Sequence, residues 1–218
     1  MIVPIFPLPN VVLFPKTLLP LHIFEERYRA MVESALGGDA MIAIVLLRED
    51  VHPEPPDKPP VHDVACLGKI ETYEELAGGR YNILVSGTRR IRLLREVESA
   101  PYRRAEVELL QDLQAEEPER DLVIRRNRLV ALFSRFAELA ETGEKQSRRL
   151  FATLDFEALV NTVASTLSFP ARHKQLLLET DDIVERCDTL LPVLQRQVEA
   201  FVIVRKFEKI RPQDPGRN

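Results

Sequence analysis

Hydrophobic and polar positions follow two different rhythms along this chain. Up to about Leu109 the apolar residues come in short runs or alternate with polar ones, as in strands. Beyond Asp121 they recur every third or fourth position, as on helices. The first stretch, Pro4 to Met31, is apolar but broken by Pro4, Pro7, Pro9, Pro15 and Pro20. Each proline fixes its φ and removes a donor, so the stretch predicts short extended pieces outside any helix or central strand. Val11, Val12, Leu13, Phe14, Leu18 and Leu19 then cross the core or wrap its rim. Phe24, Tyr28, Met31, Val32, Ala35 and Leu36 fall at helical spacing, and Gly37-Gly38 stops that helix.

Met41 to Leu47 is apolar throughout and predicts a strand covered on both faces. Val64 to Tyr73 and Arg80 to Ser86 predict a hairpin through Ala77-Gly78-Gly79. Ser86-Gly87 predicts a bend before a further strand, Thr88 to Val97. In Arg104 to Leu109, Ala105, Val107 and Leu109 alternate with Glu106 and Glu108, the mark of a strand with one wet face. Between residues 51 and 60 five prolines exclude sheet pairing and predict an exposed loop.

Strand signals end near Gln111, and Leu113 to Arg120 is a candidate junction. Leu122, Leu129, Leu132, Phe133, Phe136 and Ala140 predict one long helix closed by Gly143. Asp155 is a candidate N-cap for a helix carrying Leu159, Val160, Val163 and Leu167. A short helix spans Ala171 to Glu179. Thr180 is the expected cap of a last helix reaching about Glu208, kinked or broken at Pro192. The polar tail from Arg211 is expected to be disordered.

The run Phe-Pro-Leu-Pro, Val-Leu-Phe-Pro, then Leu-Pro-Leu-His-Ile-Phe-Glu-Glu-Arg-Tyr-Arg-Ala-Met, within Phe6 to Met31, resembles the opening of the LON domain. That family is the N-terminal, substrate-binding domain of the ATP-dependent protease Lon, and it also occurs as a stand-alone bacterial protein. Gly68-Lys69-Ile70, Gly87-Thr88-Arg89-Arg90-Ile91 and the helical pattern from Leu177 to Leu194 fit the resemblance further along. It implies an α+β fold: a PUA-like pseudo-barrel with one helix over residues 1–115, and a C-terminal helical bundle over 116–218. It also implies a non-catalytic module that binds exposed apolar or unfolded polypeptide. Val12, Phe14, Leu18 and Leu19 are the candidate substrate-binding residues, because such a site needs apolar surface in solvent. Two alternatives stand beside this reading: an adaptor or regulator of a separate ATP-dependent protease, and RNA binding through a PUA-like surface.

Composition narrows these options. The 218 residues suffice for a large core, and the net charge of −4 argues against broad nucleic-acid affinity. Acids at Glu96 and Glu98 dilute the cluster Arg89, Arg90, Arg92 and Arg95, and no aromatic residues interleave with it to stack bases. Cys66 and Cys187 stand far apart, outside any Cys-x-x-Cys, which fits a reducing cytoplasm. No basic leader precedes an apolar core, and the longest apolar run, Ala40 to Leu47, is too short to span a bilayer.

No catalytic constellation emerges. The P-loop pattern is absent, since Gly68-Lys69 is followed by Ile70. His22 beside the first helix reads as a structural hydrogen-bonding residue. His52, His62 and Asp63 flank a flexible loop, which fixes no metal geometry. Cys66 lies in an apolar strand and reads as core. Glu25, Glu26, Arg27 and Arg29 read as a solvated helix face, or as a brace from Glu25 and Arg29 to the helical half. The expectation is therefore a chain without catalytic residues, cofactor or metal, and a monomer or weak dimer.

Overall fold

The computed structural model describes residues 1–48, 58–97, 101–113, 118–140, 151 and 153–210, with the side chains of 206–210 excepted. Residues 51–57 of the proline loop expected over 51–60, Gly143 and the tail from Arg211 lie outside the described residues. Six strands come first: β1 (Ile2–Leu8), β2 (Leu18–Ile23), β3 (Met41–Leu46), β4 (Val64–Leu76), β5 (Arg80–Val97) and β6 (Arg104–Leu109), with α1 (Glu26–Leu36) between β2 and β3. The second half holds α2 (Glu119–Leu139), α3 (Phe156–Thr166), α4 (Ala171–Glu179) and α5 (Ile183–Ile210). The class is α+β.

The strand order is β2-β5-β4-β3-β1-β6, with β1 and β3 parallel and the other pairs antiparallel. The long β5 also pairs with β6 through its C-terminal half. The barrel-like half expected from the sequence is therefore a mixed sheet that curls back through β5, not a closed barrel. β2 stands free at one edge, and β5 carries register shifts against β4 and β6. β3 is covered on both faces, as expected. Ile42 and Ile44 join a core with α1, while Ala43 and Val45 join Val3, Ile5, Ala65, Leu67, Ala105 and Val107 on the other side. Leu109, expected to alternate inward, is exposed at the end of β6.

The prolines of β1 depart from expectation, because Pro4 and Pro7 sit in a strand flanked on both sides. The register explains this. Ile5 N–H donates to Arg103 O, so the nitrogen of Pro7, two residues on, faces the same side. There β6 has already ended, its last partner being Pro4. Pro4 in turn precedes the first β3 pair, Ile5 with Ala43. Neither proline owes the ladder a donor.

Gly87 does not break β5, which runs on as one strand. A Cβ there would lie 2.0 Å from Phe14 O, so the glycine admits the chain crossing over it. That crossing is a tight turn: Pro15, then Lys16 at φ 62°, with Thr17 N–H returning to Phe14 O. On either side of the turn the side chains divide. Leu13 enters the core beside α1, whereas Phe14 and Val12 enter the helical core.

In that core Leu129, Phe133, Leu159, Val163, Leu190 and Leu194 pack together, and Phe136 meets Phe201 at 5.6 Å between ring centroids. Asp155 caps α3 as expected, accepting from Ala158 N–H at 2.7 Å. Thr180 does not cap α5: its hydroxyl donates back to Leu176 O and closes α4. Asp182 takes the cap, accepting from Val184 and Glu185 N–H. α5 runs through Pro192 without a break. The missing N–H costs one helical bond, and Leu190, Leu191 and Leu194, buried on either side of it, keep both segments seated.

Candidate functional site

A groove of about 510 Å³ opens where the end of β1, the end of β2 and the start of α1 converge. The volume is ordinary for a ligand-binding cleft. Its position follows from the sequence. Pro7 and Pro9 keep the chain after β1 extended, and α1 starts only at Glu26, which leaves Phe24 in the connection. Phe6 and Tyr28 form the floor, both buried, with ring centroids 4.4 Å apart and planes tilted by 45°. Leu8, Leu21 and Leu47 extend it. At the mouth Phe24 is 63% exposed and stacks toward His22 at 6.2 Å.

The rim is charged but balanced. The Arg27 guanidinium lies 4.6 Å over the Tyr28 ring and pairs with Glu25 at 2.8 Å. Arg103 donates to Pro59 O at 2.8 Å and pairs with Glu96. His22 Nδ1 meets Asn82 Oδ1 at 2.8 Å, the structural bond its position suggested. Burial pushes the Tyr28 hydroxyl up from its ordinary pKa, so it stays a neutral hydrogen-bonding group. This lining can hold apolar side chains and orient a backbone by hydrogen bonds at its edge.

The residues chosen from the sequence are not gathered here. Phe14 is fully buried in the helical core, which removes it from any surface contact, and Val12 packs against that core half-buried. Leu18 is 63% exposed on the outer face of β2. Leu19 is half-buried on the inner face, the face that brings Leu21 to the groove. The choice followed the apolar positions between Val11 and Leu19, whereas the groove is lined by the aromatic and proline positions of the same motif, Phe6, Pro7, Pro9, Phe24 and Tyr28.

Other candidates resolve structurally. Arg90 is fully buried, Arg92 pairs with Glu108 and Arg95 with Glu106, which leaves Arg89 as the exposed arginine of the cluster without a side-chain partner among the described residues. Arg29 donates to Gly78 O and so braces α1 to the β4–β5 turn, not to the helical half. His62 pairs with Glu179 of α4 at 3.2 Å. Both cysteines are buried free thiols, Cys66 pushed well up and Cys187 up to about 12, so neither carries a ready thiolate. Among the described residues no group of three or more His, Cys, Asp or Glu side chains forms a metal-binding cluster. No described helix is long and apolar enough to cross a membrane.

This curled sheet joined to a helical half is the fold of Lon protease N-terminal domains. The N-terminal domain of a Mycobacterium avium complex Lon protease superposes with a TM-score of 0.69 at 21% identity, covering 89% of this chain and 98% of that one. A Lon N-terminal domain protein from Xanthomonas campestris gives 0.64 at 21% identity, covering 88% and 98%. The chain belongs to the family described as the ATP-dependent protease La (LON) substrate-binding domain, which it matches over residues 2–196. It is 26% identical to the Lon protease of Trichlorobacter lovleyi over 222 residues, and 26% identical to that of Brevibacillus choshinensis over 208. Those alignments cover 100% and 94% of this chain but 26% of each relative, so the chain spans about a quarter of their length.

Proposed function

We propose that this chain is a non-catalytic polypeptide-binding module, and that the groove between β1, β2 and α1 takes an exposed apolar segment of an unfolded client. The supporting observation is the groove's make-up: a ring-lined floor with Phe24 held out in solvent at its mouth. A large side chain from a client gains by leaving water there, and the paired charges of the rim neither attract nor repel a neutral backbone. Leu19 continues the apolar wall along β2 from Leu21. We read the curled sheet as a PUA-like pseudo-barrel and the helices as its C-terminal bundle, a reading supported by the return of β5 onto β6. Delivery of bound clients to a separate ATP-dependent protease is a further role that the relatives' names raise, and co-purification with protease subunits tests it.

The binding test is fluorescence anisotropy with a labelled, alkylated unfolded protein. Phe24→Ser removes only exposed surface and leaves the fold intact. It is expected to weaken binding about tenfold, the scale of one interface anchor. Leu18→Asp changes the outer face of β2 and is expected to leave binding unchanged. The reverse pattern would move the site to that outer face. Equal binding by both variants would remove this corner of the molecule from the function.

A further inference from the structure

The helical half carries a second cleft, of about 360 Å³, between α4 and α5. Its floor is aliphatic, with Leu177 and Leu190 buried beneath it and Val193 along one wall. Leu176 stands at the mouth, 58% exposed. Among the described residues no carboxylate lines the cleft, and its basic side chains are Arg196 and His173. Neither of these has a side-chain partner among the described residues. Among the described residues their donors are free, whereas Arg27, Arg95 and Arg125 are held in ion pairs.

Two hydroxyls complete the lining. Thr180 Oγ1 donates to Leu176 O at 2.9 Å, and Thr189 Oγ1 donates to Glu185 O at 3.0 Å. With their protons committed to the helices, both oxygens turn only lone pairs toward a ligand. The cleft therefore offers an apolar floor, basic donors and hydroxyl acceptors together.

The geometry points to a ligand with all three counterparts on adjacent atoms: the C-terminal residue of a polypeptide, ending in an aliphatic side chain. The side chain fills the floor, the carboxylate meets Arg196 and His173, and the terminal backbone N–H donates to a threonine oxygen. An internal segment brings no carboxylate. A fatty acid brings no N–H and leaves the hydroxyls unused. The site lies on different elements from the β1–β2–α1 groove, so it stands or falls independently of that groove.

The test is anisotropy of a labelled pentapeptide ending in leucine with a free carboxylate, titrated with the full chain. Amidating the terminus is expected to weaken binding at least about tenfold, as loss of a charge-assisted bond does. Arg196→Gln and Leu176→Asp, both at exposed positions, are expected to do the same. Phe24→Ser, in the other groove, is expected to change nothing. Equal affinity for the amidated peptide, displacement by octanoate as readily as by unlabelled peptide, or undiminished binding by Arg196→Gln would overturn the assignment. So would the absence of binding at millimolar peptide, or its loss in Phe24→Ser.

Discussion

Asp112 holds two guanidinium groups that the fold has taken out of water. Its Oδ1 accepts from Arg90 Nε at 2.5 Å and from Arg186 Nη2 at 3.1 Å, and both arginines are fully buried. Arg90 comes from β5 and Arg186 from α5, so one carboxylate ties sheet to helices. Their other Nη donors go to Asp181, Leu178 O, Gln111 O, Asn161 and Thr180 O, while Arg186 Nε is buried without a partner among the described residues. Burial pulls the Arg186 guanidinium below its ordinary pKa, and Asp112 opposes that pull. Removing one member of such a cluster leaves buried charge uncompensated, which is worth ~3–5 kcal/mol. Asp112→Ala is therefore expected to lower unfolding stability by that amount in a urea titration. Asp188→Ala is the control. Its pair with Arg125 at 2.9 Å is partly exposed, and such pairs contribute ~1 kcal/mol or less. The sequence placed Arg90 in a basic stripe. Its partners lie 22 and 91 residues away, and no local pattern carries that distance.

At the scale of elements, spacing was a good guide to where strands and helices lie and a poor one to what glycine and proline do in them. Gly87 read as a bend, yet β5 is continuous there, and the glycine exists for the neighbour that crosses it. The same distinction gives a paired test. A Cβ at Gly87 meets backbone, Phe14 O at 2.0 Å and Phe14 C at 2.8 Å, which cannot swing aside as a side chain does. Gly87→Ala is expected to cost about 3 kcal/mol, the upper range for overpacking, and to appear as a lowered urea midpoint. Gly78, at φ +81° in the β4–β5 turn, has open space around its Cβ position. There Ala meets only the backbone preference, so Gly78→Ala is expected to cost about 1 kcal/mol. Equal effects at the two sites would show that the crossing at Phe14 yields. Proline reading failed for a related reason. The donor that Pro4 and Pro7 lack matters only where a neighbour strand faces it, and register is a property of the folded sheet. The opening motif located the groove's region, because Phe6, Phe24 and Tyr28 lie within it. Which of its apolar residues face outward was hidden, since Phe14 and Phe24 look alike until the halves pack.

Across the whole molecule, the division of the chain near residue 115 is a division of secondary structure, and the packing joins the parts. Phe14 and Val64 sit in the helical core, Gln175 of α4 donates to Val64 O at 2.8 Å, and Asn161 of α3 donates to Pro15 O at 3.2 Å. Lys16 reaches Asp155 and Glu157 at the start of α3. If residues 1–113 came free, Phe14 and Arg90 would both be bared, the one apolar and the other charged and without Leu178 O and Asp181, while Arg186 would lose Asp112. Such a cost, shared by both parts, favours unfolding in one step. The sequence supplies probes for each part. All four tyrosines, Tyr28, Tyr73, Tyr81 and Tyr102, precede the helical half, and there is no tryptophan. Tyrosine emission therefore reports the sheet, while ellipticity at 222 nm reports mainly α2 to α5. The two signals are expected to share one midpoint and one slope in urea. In Asp112→Ala both should shift together. A helical transition that separates from the tyrosine transition in the unaltered chain would mean that the buried arginines and the Phe14 turn hold the parts in contact without making them one cooperative unit.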